Sequence, residues 1–211
     1  MRGLYVITSQ QHVGSRQLTG AVEQALIGGA VIVQYRDKRS VPAPADNQLT
    51  EIHHLCRDYG ALLVINDDVE LARRINADGV HLGRDDMDPG AARECLGSNK
   101  LIGVSCYGDI KRVSRMDRAG ADYIALGRFY ASEIKPEATP VSVDVLRQVR
   151  QMTSTPLVAI GGITTENGAA LVQAGADMLA VVNGVFAQPD ITSAARDISA
   201  LFHTHINRDE L

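Results

Sequence analysis

Eight short aliphatic segments recur along this chain, and helix-like stretches lie between most of them. The segments cover 3–8, 30–35, 61–66, 78–82, 100–105, 122–127, 156–161 and 177–183. Runs of roughly four to eight apolar residues bounded by polar turn residues are typical of buried strands. Strands that alternate with amphipathic helices predict βαβ units and a parallel sheet. Eight such units favour closure, so we predict an α/β fold, a single (β/α)8 TIM barrel with a parallel eight-stranded core.

The length and an internal repeat agree with one barrel. The chain has 211 residues and no low-complexity linker, so we expect a single domain over 1–211, with 202–211 as a short C-terminal tail. Small residues followed by Asp precede three of the strands, at 76–79, 119–122 and 174–177. Glycines at such positions suit the left-handed residue that ends a helix. We interpret this repeat as structural, because it lies at the end of the barrel where chemistry is rare.

Charge and cysteine content exclude several classes of function. The formal net charge of -4 provides no basic face for nucleic acid, and no apolar run is long enough to span a membrane. The three cysteines, Cys56, Cys95 and Cys106, form no Cys-x-x-Cys pair, which indicates neither a zinc site nor a disulfide framework. With no signal-peptide pattern, we expect a cytoplasmic protein. The sequence does not decide the oligomeric state, and a homodimer is compatible with it.

Pairs of carboxylates lie just after two of the apolar segments. Asp67 and Asp68 follow one segment, and Asp85 and Asp86 follow the next. The ends of neighbouring strands lie ~5 Å apart, so Asp67 and Asp86 could hold one hard divalent cation through oxygen. The alternative is that these residues cap the following helices. We prefer a cap or a solvated side chain for Asp68 and Asp85, whereas this pattern alone does not decide between metal and cap for the other two.

Glycines and cations at other strand ends indicate an anionic ligand. Gly161-Gly162 lies at the end of the seventh segment and 182–185 at the end of the eighth, where this architecture commonly binds phosphate. Arg36 and Lys38 follow the second segment, and Lys135 lies in a long loop, 128–141, that suits a lid. The alternatives are tight βα turns for the glycines and a solvated, ion-paired turn for Arg36 and Lys38.

Other polar residues support this reading without adding a nucleophile. Ser105 is better placed as a hydrogen-bond donor to phosphate, and His81 is interpreted as a satisfied core residue. The chain has no Walker lysine loop, no dinucleotide fingerprint and no nucleophile with a nearby base motif.

Taken in order, these pieces resemble the thiamine-phosphate synthase (thiamin phosphate pyrophosphorylase) family. The resemblance runs from Gly3 to about Phe202. The stretches that carry it are 3–8, 34–38, 66–68, 81–83 with Asp86, 103–105, 132–135 and 160–163. It implies a TIM-barrel transferase of thiamine biosynthesis. Such an enzyme joins 4-amino-2-methyl-5-hydroxymethylpyrimidine diphosphate to a thiazole phosphate, and it releases pyrophosphate through a pyrimidine-methyl cation that the thiazole nitrogen captures.

The resemblance also implies roles for individual residues. Mg²⁺ would be bound by Asp67 and Asp86. Arg36, Lys38, Ser105 and Lys135 would take part in catalysis. The small-molecule substrates would contact Gln34, Tyr35, Arg36, Asp37, Lys38, Asn66, Ser105, Ser132, Ile134, Lys135, Gly162, Val182 and Asn183.

Three departures from the family pattern keep other functions open, and one of them is that Ala131 and Arg128 stand where prolines are frequent. Ile134 stands where the family commonly has Thr, and Asn183 replaces a common Ser, so the thiazole-phosphate pocket differs in detail. One alternative is a thiazole tautomerase-like paralogue, against which the retained Asn66, Asp67 and Asp86 argue. The other is a non-catalytic sensor of phosphate ligands on the same barrel, for which Ile134 is the main support.

Overall fold

A computed structural model describes residues 1–8, 17–37, 46–131 and 139–203, with only the backbone of Asp46. The strands form a closed parallel barrel in sequential order, in which β1 pairs with both β2 and β8. The strands are β1 (Gly3–Ile7), β2 (Ala30–Tyr35), β3 (Leu62–Asn66), β4 (Gly79–Leu82), β5 (Leu101–Tyr107), β6 (Tyr123–Gly127), β7 (Leu157–Ile160) and β8 (Met178–Val181). Each falls within, or overlaps, one of the eight predicted segments, which confirms the predicted TIM barrel.

Helices follow the strands around the outside of the barrel. Within the described ranges they are α1 (Leu18–Ile27), α2 (Asp46–Asp58), α3 (Val69–Arg74), α4 (Pro89–Leu96), α5 (Ile110–Arg118), α6 (Val143–Met152), α7 (Thr165–Gln173), α8 (Asn183–Phe186) and α9 (Ile191–Ala200). No helix of the described residues is long and apolar enough to cross a bilayer. Of the predicted tail, Phe202 packs in the core, and 204–211 lie outside the described residues.

Alternation along each strand divides the core into two layers. On β1, Leu4 and Val6 join the layer between the strands and the helices, whereas Tyr5 and Ile7 point into the barrel. Successive side chains of a strand lie on opposite faces, so both faces of a parallel barrel are buried. This explains why the strand segments are almost continuously apolar.

The aspartates of the internal repeat fasten the strands at the amino-terminal end of the barrel. Each accepts a hydrogen bond from a backbone N–H near the start of the preceding strand: Asp78 from Leu63, Asp122 from Ile102 and Asp177 from Leu157, at 2.8, 2.7 and 2.8 Å. Arg93 and Arg150 form ion pairs with Asp122 and Asp177. These contacts link β3 to β4, β5 to β6 and β7 to β8, and they support the structural interpretation of the repeat.

Five polar side chains cross the interior of the barrel, and we call them the polar column. Gln34 Nε2 donates to the Tyr5 hydroxyl at 2.7 Å, and the Tyr5 and Tyr123 hydroxyls lie 2.9 Å apart. His81 Nδ1 lies 3.1 Å from the Tyr123 hydroxyl, and His81 Nε2 lies 2.9 Å from Ser105 Oγ. Burial raises the pKa of both tyrosines, so both hydroxyls stay protonated. The column connects β1, β2, β4, β5 and β6.

Gly103 leaves the space that the Tyr123 ring occupies, and this generates the first prediction. A Cβ at Gly103 would lie 1.8 Å from Tyr123 Cζ. We expect Gly103→Ala to lower the free energy of unfolding by about 3 kcal/mol, because the ring cannot leave the barrel interior. Urea denaturation followed by circular dichroism measures this.

The matched control is Gly20→Ala on α1, where an added Cβ meets nothing within 4 Å. This exposed helical position should gain about 0.5–1 kcal/mol from the same substitution. Equal stability of Gly103→Ala and the wild type would show that the Tyr123 ring is not confined as described.

Candidate functional site

A cavity of about 840 Å³ opens at the carboxyl ends of the strands. Its volume suits a small-molecule ligand. The predicted site residues that line it are Gln34, Arg36, Asn66, Asp67, Asp86, Ser105, Gly162, Val182 and Asn183. They come from the ends of β2, β3, β4, β5, β7 and β8, and closure of the barrel is what brings these distant segments to one cavity.

Six predicted residues are not placed in this cavity. Tyr35 is buried on the helix-facing side of β2, and its hydroxyl donates to Asp37 Oδ2 at 3.3 Å. Neither residue lines the cavity, because Gln34 and Arg36 take the inward positions of the strand end. The structure therefore does not bring Tyr35 or Asp37 to the candidate site. Four further residues lie outside the described residues: Lys38, Ser132, Ile134 and Lys135.

Two carboxylates enter the cavity from neighbouring strand ends. Asp67 follows β3 with a left-handed backbone (φ 63°), and its N–H donates to the His81 carbonyl at 2.9 Å. Asp86 Oδ2 accepts from the Gly83 N–H at 2.6 Å, which orients the carboxylate in the turn after β4. A left-handed non-glycine residue costs roughly 1–3 kcal/mol and is found most often at functional positions.

This donor set fits Mg²⁺. No group of three or more His, Cys, Asp or Glu side chains in the described part of the chain is arranged to hold a metal by itself. Mg²⁺ commonly takes one or two carboxylates and completes its shell with water and substrate phosphate. Asp67 and Asp86, with room beside them in the cavity, suit that mode of binding.

The neighbouring aspartates differ in role. Asp68 caps α3, since its Oδ1 accepts from the Leu71 N–H at 2.8 Å, and the predicted cap is confirmed. Asp85 is exposed at the rim of the cavity, which agrees with a solvated side chain. Asp68 is thus used by its helix, whereas Asp67, Asp85 and Asp86 line the cavity.

Arg36 provides positive charge inside the cavity. Burial lowers the pKa of its guanidinium, and the Asp67 carboxylate opposes that shift. Arginine stays protonated through shifts of this kind. Its backbone N–H donates to Thr8 Oγ1 at 3.0 Å, which fixes the end of β2 against the end of β1. Arg36 is therefore a partly desolvated cation on a fixed strand end, which suits an anionic ligand.

The Gly161-Gly162 turn brings backbone close to the cavity. Both glycines have positive φ (106° and 63°), and a Cβ at Gly162 would lie 2.2 Å from the Ala131 carbonyl oxygen. Asn167 Nδ2 donates to the Gly162 carbonyl, and Asn167 Oδ1 accepts from the Thr164 N–H, each at 2.9 Å. This capping box starts α7 beside the turn. A helix start with free N–H groups next to glycine is a favourable site for phosphate.

Sequence reasoning missed several residues of the cavity. His81 is buried, as predicted, yet it lines the cavity and contacts Ser105. Tyr5 lines the floor, and strand alternation could have found it, since it points inward from β1. Arg84 lies over the Tyr107 ring at 5.0 Å on the rim, a contact that no sequence pattern indicated.

Comparison with known proteins identifies the relatives of this chain. A model of the thiamine monophosphate synthase family matches residues 4–185. Thiamine-phosphate synthase from Acidithiobacillus ferrooxidans is 48% identical over 211 residues, covering 99% of this chain and 96% of the relative. The enzyme of that name from Alcanivorax borkumensis is 44% identical over 208 residues, covering 97% and 96%. A solved structure, thiamine phosphate pyrophosphorylase from Pyrococcus furiosus, has a TM-score of 0.86 at 30% identity over 96% of each chain.

The left-handed backbone of Asp67 generates a prediction about stability alone. We expect Asp67→Gly to be more stable than Asp67→Ala by about 1 kcal/mol, because only glycine accepts φ 63° without strain. Both variants lack the carboxylate, so the difference between them reports on the backbone. Thermal and urea unfolding of the two variants measure it, and a more stable Asp67→Ala would contradict the assigned conformation.

Proposed function

We infer that the cavity is a thiamine-phosphate synthase active site, because the chain belongs to the thiamine monophosphate synthase family. The protein is a transferase that acts on small-molecule substrates. One observation carries the assignment of the site: a carboxylate pair, a partly buried guanidinium and a glycine turn at a helix start line the same cavity. Together they suit two phosphorylated ligands, one of which carries a metal-bound diphosphate.

The proposed reaction joins a pyrimidine to a thiazole. The C–O bond between the pyrimidine methylene and the diphosphate breaks, and its electron pair leaves with the pyrophosphate oxygen. The thiazole nitrogen then donates its lone pair to the resulting pyrimidine-methyl cation, which forms the C–N bond of thiamine phosphate. This route needs no protein nucleophile. The barrier is lowered by neutralising the leaving group and by holding the two ligands in line.

We propose different contacts with the diphosphate for different residues of the cavity. Arg36 would offset negative charge on the departing pyrophosphate. Asn66 and Ser105 would donate hydrogen bonds to the diphosphate from the ends of β3 and β5. Asp67 and Asp86 would hold Mg²⁺, which when bound supplies further neutralisation of the same charge. Lys38 and Lys135, outside the described residues, are proposed for the same role.

The second ligand fits the opposite side of the cavity. We propose that the N–H groups at Gly162 and at the start of α7 bind the phosphate of the thiazole. Val182 and Asn183 line the cavity beside them, and Asn183 provides an amide where the family commonly has a hydroxyl. Ser132 and Ile134 are proposed to complete this pocket.

The alternatives explain less of the cavity. A thiazole tautomerase needs one phosphate site, and it leaves Arg36, Asp67 and Asp86 without a role. A sensor that binds phosphate without turnover gives no reason for the proposed metal ligand Asp67 to have a strained, left-handed backbone.

We also propose a cytoplasmic location, since Cys56, Cys95 and Cys106 are all free thiols. We likewise propose that the protein forms a homodimer and that it has no nucleic-acid or membrane partner.

A coupled assay tests the proposed reaction. The pyrimidine diphosphate and thiazole phosphate are mixed with the protein and Mg²⁺, and pyrophosphate and thiamine phosphate are followed together. We expect both products to appear in equal amounts. Pyrophosphate alone would show that the thiazole side fails, and isomerisation of the thiazole phosphate without the pyrimidine would favour the tautomerase.

The carboxylate pair generates a prediction on activity. We expect Asp67→Asn and Asp86→Asn each to lower kcat/KM for the pyrimidine diphosphate on the order of 100-fold, because each removes a charge that faces the metal. Steady-state kinetics across Mg²⁺ concentrations measure this. Asp68→Asn is the matched control, since Asn also caps a helix and should keep activity. Full turnover in excess chelator would overturn the metal role.

The glycine turn generates a prediction on substrate affinity. An added Cβ at Gly162 would meet the Ala131 carbonyl oxygen, so the turn and its N–H groups must shift. We expect Gly162→Ala to raise KM for the thiazole phosphate at least about 10-fold, which corresponds to the loss of one charged hydrogen bond. KM for the pyrimidine diphosphate should change little. Gly120→Ala is the control, because its φ is also positive (78°) and an added Cβ there meets nothing within 4 Å. An equal rise in both KM values would argue against a separate phosphate site at this turn.

A further inference from the structure

We propose that Arg112 is a positioning residue that holds the strand ends carrying Asp86 and Ser105 in a fixed relation. The proposal rests on the proposed function of the cavity. Arg112 lies on α5 and is not among the residues lining the cavity in the described part of the chain. Its Nε donates to the Ser105 carbonyl at 2.8 Å, and its Nη2 donates to the Gly83 carbonyl at 3.0 Å. One guanidinium therefore connects the ends of β4 and β5 behind the cavity wall.

The surroundings of Arg112 differ from those of the other arginines that bind backbone carbonyls. Arg112 is only 7% exposed, and burial of a charge is costly unless it is well bonded. Arg93 and Arg150, at the other end of the barrel, are each paired with an aspartate. The Arg112 guanidinium donates to two carbonyls and also interacts with the buried Cys106 thiol. The bonds that compensate this buried charge also join two strand ends, which favours a role in fixing the geometry of those ends.

The Arg112 guanidinium and its two bonds to carbonyls form a fork. Each end of this fork reaches a strand end that carries a site residue. At one end, Gly83 accepts from Arg112 through its carbonyl, and its N–H donates to Asp86 Oδ2. A Cβ at Gly83 would lie 2.8 Å from the same Asp86 oxygen, so the turn is closely packed. At the other end, the pairing register of β5 with β6 shifts between Ser105 and Tyr107. Arg112 binds the Ser105 carbonyl there, while Ser105 Oγ meets His81.

The helix that carries the fork is itself fixed. Asp109 caps α5 by accepting from the Arg112 N–H at 3.0 Å, so the backbone of Arg112 is held one turn after β5. Misplacement of a binding group by about 1 Å can cost on the order of 100-fold in rate. Loss of the fork should therefore weaken the binding of the diphosphate and of Mg²⁺, and it should leave binding at the Gly162 turn unchanged.

The experiment compares Arg112→Lys with Arg150→Lys. Lysine keeps the charge and loses the planar fork. Arg150 is the matched control, because it binds the carbonyls of Thr153 and Thr155 and the Asp177 carboxylate at the opposite end of the barrel. Three readouts are taken: the urea unfolding midpoint, calorimetric binding of Mg²⁺ at saturating inorganic pyrophosphate, and KM for each substrate.

We expect Arg112→Lys to weaken Mg²⁺ binding in the presence of pyrophosphate about 10-fold, the size typical of a residue that orients a metal ligand. KM for the pyrimidine diphosphate should rise with it, and KM for the thiazole phosphate should stay near the wild-type value. Arg150→Lys should lower the unfolding midpoint and leave Mg²⁺ binding unchanged.

Arg112→Met is the second variant in case Arg112→Lys does not fold. It removes the buried charge together with its donors, so no unpaired charge stays in the interior. Wild-type Mg²⁺ binding and wild-type KM values in a folded Arg112 variant would overturn the proposal. Absence of Mg²⁺–pyrophosphate binding in the wild-type protein would instead count against the proposed function.

Discussion

The hydrogen bond between the Tyr5 and Tyr123 hydroxyls, 2.9 Å long, is the contact around which the barrel interior is arranged. It joins β1 to β6, which are not neighbours in the barrel, and its two ends extend to Gln34 and, through His81, to Ser105. Buried hydroxyls require partners, so each member of the polar column restricts the next. Gln34, His81 and Ser105 of the column also line the cavity, so contacts of the barrel interior position part of the site.

The two ends of the barrel are specialised in different ways. At the amino-terminal end, repeated aspartates bind backbone N–H groups and ion-pair with arginines, which favours stability. At the carboxyl end, Asp67 and Tyr107 have left-handed backbones and Gly162 approaches Ala131 closely. Strained backbone of this kind is tolerated where a site needs it and where the rest of the fold is stable enough. Asn76, in the turn before β4, is also left-handed (φ 55°), so it is the cavity rather than backbone strain that distinguishes the carboxyl end.

The fold and much of the site could be predicted from sequence because both follow from local patterns. Apolar segments bounded by polar residues located the strands, and closure of the barrel then gathered Asn66, Asp86 and Ser105 at one end. The prediction of substrate contacts at Tyr35 and Asp37 is not supported, since a strand turns only alternate side chains toward the cavity. The Arg112 fork could not be read from sequence, because its partners are carbonyls whose positions depend on the folded barrel.

The most direct test of the whole account is a crystal structure of the protein with Mg²⁺, pyrophosphate and thiamine phosphate. The account predicts one metal ion bound by Asp67 and Asp86, pyrophosphate contacting that ion and Arg36, and the phosphate of thiamine phosphate at the Gly162 turn. Pyrophosphate bound away from Asp67 and Asp86, or a phosphate that avoids the Gly162 turn, would contradict the assignment of the two halves of the cavity.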